Sequence, residues 1–318
     1  MYGTRKTSTL LSAAILLVLA AACGGSSQGP SRIDPSEVLA ATLSLEDTER
    51  TTPVNGTFPG AASRRIEVNL WYAPAPLAGP ACTDARCGLL VLAHGFGGNP
   101  DRFDILARSL AARGWIVAAL WFPLTNESAP GGFGSAIGDL ASQPGDIRFL
   151  LDRLLAADAA DEGPLRGRID DSRIGVVGHS LGGATTIALD RHDCCREPRI
   201  GANFMVAPAT MILPLFGDSA SNGGSPTLIS VGTADAVIPP EMMRGWLADL
   251  PGPWTLAVME EYDHVTHIEA GAVVPFPERI EETASLAHAF FLDALTGADE
   301  LEGELEKLRA AGHEIVSG

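Results

Sequence analysis

The hydrophobic and polar positions fall into two rhythms that alternate along most of the chain. Arg65–Tyr72 (R-I-E-V-N-L-W-Y) alternates polar and apolar residues, which predicts an outer strand with one solvated face. Gly88–Ala93 and Trp115–Trp121 are continuous apolar runs, as expected of strands buried on both faces. Arg173–Val177, Ile200–Val206, Thr227–Val231 and Trp254–Met259 read as further strands. Between them, Arg102–Arg113, Gly145–Ala157, Leu181–Asp190, Pro240–Leu250 and Glu278–Leu295 carry helical spacing. Strands alternating with helices predict an α/β fold with a mostly parallel central sheet and helices on both faces.

The ends of the chain read differently. Residues 1–22 carry no acid, open with Arg5 and Lys6, and continue into the short apolar run Leu10–Ala22. Such a run is too short to span a bilayer comfortably and reads as a secretory signal. Cys23 follows at once, in the pattern of a lipoprotein signal whose cysteine is lipidated, so the protein is expected to be exported and held at the outer face of a membrane by an N-terminal lipid anchor, with ordinary secretion after cleavage nearby as the alternative. Residues 23–42 read as a flexible tether, 43–296 as one α/β domain and 297–318 as a charged tail.

Export changes the meaning of the remaining cysteines, because an oxidising compartment favours disulfides. Cys82 and Cys87 bracket a short polar loop and are the natural local pair, leaving Cys194 and Cys195 bridged to each other or free. The composition of the 318 residues adds an exclusion. With 22 Lys+Arg against 39 Asp+Glu, the formal charge of −17 is a poor match to a phosphate backbone, and no nucleic-acid partner is expected.

The chemistry is concentrated in Gly178-His179-Ser180-Leu181-Gly182-Gly183, where an apolar strand runs into G-x-S-x-G and a helical pattern runs out. A tight strand-to-helix turn there would lift the Ser180 oxygen above the sheet, at a helix N-terminus that favours negative charge. A serine needs a base, and the base an orienting acid. Asp235 lies just past the carboxyl end of the strand Thr227–Val231, where functional groups of open α/β sheets collect. His264 and His267 both follow the last internal strand. His264 is the preferred base, being closer to the strand end. A metal set of His264, His267 and Glu269 is a weaker reading, with no second cluster to complete it, and no metal or cofactor is expected.

Two N–H donors for an oxyanion are expected at Leu181 and, in the glycine-rich His94-Gly95-Phe96-Gly97-Gly98, at Phe96. His179 flanks the nucleophile and is assigned to the substrate site. The long segment Pro208–Pro226 offers Met211, Leu213 and Phe216 as an apolar pocket wall or lid, with plain core packing as the alternative.

These motifs resemble the α/β-hydrolase superfamily, and more narrowly the bacterial dienelactone-hydrolase-like and platelet-activating-factor-acetylhydrolase-like serine esterases, relatives of cutinases and lipases. The carriers of the resemblance are Asp47-Thr48-Glu49-Arg50, Arg65 through Tyr72, His94–Gly98, Ile169-Asp170 and Gly178–Gly183. The resemblance implies an α/β-hydrolase fold with Ser180 as nucleophile, Asp235 as acid and His264 as base; the connecting loops, with apolar walls but no large separate lid domain, point to small to medium acyl esters, cleaved through an acyl-enzyme. Dienelactone hydrolases carry cysteine where Ser180 stands, and polyester hydrolases commonly carry Pro-Gly-Tyr where His94-Gly95-Phe96 stands. A polyester or cutin-type hydrolase and a non-enzymatic surface binding protein are the alternatives.

Overall fold

The apolar runs assemble into one sheet in the computed structural model, which describes residues 31–132, 137–217, 224–268 and 276–318. Its strands are β1 (Leu39–Asp47), β2 (Arg64–Tyr72), β3 (Cys82–Thr83), β4 (Arg86–Ala93), β5 (Ile116–Trp121), β6 (Ile169–His179), β7 (Ile200–Val206), β8 (Thr227–Gly232), β9 (Trp254–Met259) and β10 (Glu314–Ser317). They lie in the order β1-β2-β5-β4-β6-β7-β8-β9-β10, with β3 beside β4. Neighbours from β5 through β9 run parallel, while β1, β2 and β10 run antiparallel to theirs.

Parallel strands need crossovers, and helices supply them. These are α1 (Asp104–Ala111), α2 (Gln143–Ala159), α3 (Leu181–Arg191), α4 (Pro240–Leu247) and α5 (Pro277–Thr296), followed by α6 (Leu301–Ala310). Because side chains alternate across a strand, β4 serves both faces. Leu90 and Leu92 pack with Phe103, Leu110 and Phe291, under α1 and α5. Leu89 and Val91 pack with Ile147, Leu150 and Leu154 of α2.

Three expectations need correcting. Part of the segment read as a tether is regular structure, with a 3₁₀ turn at Pro35–Glu37 and then β1 from Leu39. The alternation in β1 is thin, but Ala41, Leu43 and Leu45 suffice to pack on the second face of the sheet. In consequence β2 is not the outer strand. It pairs with β1 on one side and β5 on the other. The segment 297–318 is not a loose charged tail either. Leu305 and Leu308 of α6 enter the core, and β10 extends the sheet beside β9. Two leucines three residues apart among charges are enough to give that helix an inward stripe.

Cys82 and Cys87 face each other across the β3–β4 hairpin, paired through their sulfurs with Cα atoms 4.0 Å apart. Cys194 and Cys195 are paired with each other, Cα atoms 3.7 Å apart. Cys23 lies outside the described residues. The described chain enters beside the C-terminal end of α1, where the Ile33 N–H donates to the Ala112 carbonyl (3.0 Å). That is the amino-terminal end of the parallel strands, the end away from Ser180.

Candidate active site

The turn from β6 into α3 holds Ser180 at φ 53°, ψ −113°, a left-handed backbone that a non-glycine residue adopts at a cost of about 1–3 kcal/mol. The glycines around it are required by contact. A Cβ on Gly178 would collide with the Gly182 carbonyl and the Thr186 hydroxyl, one on Gly182 with the Ala93 carbonyl, and one on Gly183 with Pro208. The strained turn is pinned by the Ser180 N–H donating to the Val206 carbonyl and the Ala209 N–H donating to the Ser180 carbonyl, each at 2.9 Å.

Asp235 sits on the turn after β8, and its two oxygens do different things. Oδ1 accepts the N–H groups of Val237 and Ile238, both at 2.8 Å, which shapes the turn. Oδ2 lies 2.8 Å from His264 Nδ1. Burial opposes ionisation of this carboxyl, but the bond from His264 and the two backbone N–H groups outweigh it and hold it below the usual carboxylate range. His264 follows β9 on a turn closed by Asp263, whose Oδ1 accepts the N–H groups of Val265 and Thr266. Its Nε2 lies 3.0 Å from Ser180 Oγ. Side chains from three strand ends thus form one hydrogen-bonded chain.

His267 stands elsewhere. It is fully buried, with Nδ1 3.3 Å from Ser230 Oγ and its ring 4.8 Å from that of Tyr262. Glu269 lies outside the described residues, and among the described residues no group of three His, Cys, Asp or Glu side chains is placed to hold a metal.

His179 backs His264. Its Nε2–H donates to the His264 carbonyl at 2.7 Å, and the two rings lie 4.9 Å apart. Its ring also fills the space that a Cβ on Gly95 would need. The loop after β4 is fixed by the neighbouring His94, whose Nδ1–H donates to the Gly95 carbonyl (2.7 Å) and whose Nε2 accepts the Phe122 N–H (3.1 Å). Gly95 is pressed against Ser180, since a Cβ there would lie 3.1 Å from that of the serine. The Phe96 backbone therefore runs beside the serine. Leu181 is the first residue of α3, so its N–H has no acceptor within the helix.

A cavity of about 140 Å³ opens on this chain, lined by Gly95, Phe96, Asn99, Phe103, Val265 and Ile268 beside Ser180 and His264. A larger groove, about 360 Å³ between β1 and α2, holds no nucleophile–base pair. The pocket wall expected from Pro208–Pro226 needs correction as far as it is described. In the 3₁₀ turn Thr210–Phe216, residues three apart share a face. Leu213 and Phe216 accordingly turn toward Leu181, Ala184, Ala188 and Cys195 as core, and Met211 is exposed. None of the three lines the cavity. Asn99, Phe103 and Ile268, which do, sit in no motif. Only their nearness to His94–Gly98 and His264 could have suggested them.

The model of the alpha/beta hydrolase family matches residues 90–313, and the chain belongs to that family. A monoacylglycerol lipase of Mycolicibacterium smegmatis is 29% identical over 175 residues, covering 55% of this chain and 51% of that protein. The chain thus spans about half the length of that relative. The solved structure of a ferulic acid esterase from Streptomyces cinnamoneus matches the fold with a TM-score of 0.59, at 22% identity, over 82% of this chain and 90% of the other.

Proposed function

We propose that this protein is a serine ester hydrolase acting on small to medium acyl esters through an acyl-enzyme. The observation that carries the reading is the chain Asp235–His264–Ser180, at 2.8 and 3.0 Å, ending on a strained serine at a helix N-terminus. His264 Nε2 takes the Ser180 proton as Oγ attacks the ester carbonyl carbon. The carbonyl oxygen becomes an oxyanion, held by the N–H groups of Phe96 and Leu181. Collapse expels the alcohol, which takes the proton from His264. Water, activated by the same imidazole, then releases the acid. Asp235 keeps the proton-bearing Nδ1 of His264 in place and stabilises the imidazolium.

The 29% identical relative is a monoacylglycerol lipase, which supports ester cleavage as the reaction class. A cavity of about 140 Å³ is small beside the roughly 300–1,000 Å³ of sites for drug-sized ligands, which favours short acyl groups. The further parts of the reading are export, lipidation of Cys23, and disulfides at Cys82–Cys87 and Cys194–Cys195 in an oxidising compartment.

A chain-length series of p-nitrophenyl esters tests the activity. Ser180→Ala should lower kcat by about 10³-fold or more. Equal turnover by the two proteins would refute the serine mechanism, and a purified wild type inert on every ester would favour a binding role instead.

A further inference from the structure

The two N–H donors assigned to the oxyanion sit on different elements, Phe96 on the loop after β4 and Leu181 at the head of α3. Their separation decides how well they fit a tetrahedral intermediate, because such donors act through preorganised geometry. A buried hydrogen-bonded chain joins those two elements. The Gly97 N–H, one residue past Phe96, donates to the Thr125 carbonyl at 2.8 Å. Thr125 Oγ1 accepts from Gln143 Nε2 at 2.7 Å. Gln143 Oε1 accepts from the Thr185 hydroxyl, which also lies 3.3 Å from the carbonyl of Leu181, one turn back along α3.

Thr125, Gln143 and Thr185 are fully buried. Gln143 opens α2, a position that asks nothing of its side chain. An apolar residue of the same length would fill the space without the desolvation cost of an amide. What a buried glutamine adds is direction. One end of its amide must donate and the other must accept, so it holds Thr125 and Thr185 at a set distance.

We propose that Gln143 is a positioning residue that sets the spacing of the two oxyanion donors, acting through Thr125 on the Phe96 loop and through Thr185 on Leu181. The proposal rests on the serine-hydrolase reading above, and on its oxyanion donors in particular.

The test compares Gln143→Met, which keeps length and removes both bonds, with Thr185→Val, which removes one, and Thr185→Ser, which keeps the hydroxyl. Each is assayed for kcat and KM on a short p-nitrophenyl ester, for inhibition by an alkyl boronic acid that forms a tetrahedral adduct on the serine, and for thermal unfolding. Gln143→Met and Thr185→Val should lose about 10- to 100-fold in kcat, with KM within about twofold. Boronate inhibition should weaken by the same factor, and Thr185→Ser should return to within about threefold of wild type. The double variant should be no worse than Gln143→Met alone, since both cut one chain.

A role confined to packing α2 on α3 predicts a lowered melting temperature with kcat and boronate affinity within about twofold of wild type. That result in folded Gln143→Met or Thr185→Val overturns the proposal. If Gln143→Met does not fold, Thr185→Val with its serine counterpart decides. Ser180→Ala, run beside them, separates the two readings. If it is inactive while the Gln143 and Thr185 variants are fully active, only the spacing role falls. If it is active, the serine mechanism itself falls.

Discussion

The imidazoles of His94, His179 and His264 lie around the candidate nucleophile, and that of His267 lies apart, against Tyr262. His94, His179 and His267 are sealed from water, which disfavours their charged forms and lowers them to about 4, 3 and 3. His264 keeps part of its ring at the cavity mouth. The three sealed rings each have a folded-state pKa below the unfolded value of about 6.5. Between those limits the unfolded chain binds more protons than the folded one, so stability rises with pH there. Their contribution is complete above about pH 6.5 and is lost as the pH falls toward 4, by up to about 1.4 kcal/mol per pH unit for each ring. Urea melts from pH 7 to pH 4 should show midpoints falling from about pH 6 downward. A midpoint unchanged at pH 4.5 would mean that the rings are not sealed. At the same scale, His264→Ala should abolish turnover. His267→Ala, which opens a cavity behind Tyr262, should lower the melting temperature and retain a substantial fraction of kcat. Ester assays paired with melts on the two variants distinguish a base from a core residue.

At the scale of elements, α2 is fastened to the sheet by charge. Arg64 of β2 is fully buried and reaches Asp139 through two bonds of 2.9 Å and Asp146 through two of 2.6 Å. Arg50 joins Asp146 to Asp47. Asp146 lies in the same first turn of α2 as Gln143. Arg64→Met strips buried Asp139 of its arginine and leaves buried Asp146 with Arg50 alone, and should cost about 3–5 kcal/mol in a denaturant titration. Ester turnover should fall with it as the turn shifts, whereas a loss under about 1 kcal/mol would show that water reaches the site. No periodicity could have announced this network, because Arg64 lies 75 and 82 residues from the two aspartates it holds. The interior strands β4 to β9 were legible for the opposite reason, since a strand buried on both faces advertises itself residue by residue. The edges were not. β1 alternates with small and exposed side chains, and α6 hides two leucines among charges. Ser180, Asp235 and His264 could be read because strand ends punctuate an α/β chain. Gln143 could not, because its role exists only once three elements meet. The C-terminal segment also bears on the site, as the Glu260 N–H donates to His313 Nδ1 at 2.9 Å at the root of the His264 turn. Truncation after Thr296 should therefore lower both the melting temperature and kcat, and unchanged kinetics in the shortened protein would show that the turn holds itself.

For the whole molecule, the two ends of the parallel strands are assigned to different tasks. The cavity and Ser180 lie at the carboxyl end, and the chain enters at the other, by Ile33 and Ala112. If Cys23 carries the lipid, that arrangement acquires a direction. The eight Cα–Cα steps from Cys23 to Ser31 reach at most about 28 Å when fully extended. A domain of this size is roughly 45–50 Å across. The leash is therefore shorter than the body it holds, and the enzyme cannot somersault to bring its mouth down onto the bilayer that carries it. It would graze on esters arriving from outside and leave the lipids underfoot untouched. Lipidated protein on vesicles should cleave a dissolved ester, and an ester carried by a second set of vesicles, while sparing the same ester in its own membrane. Faster cleavage within the home bilayer would contradict this geometry.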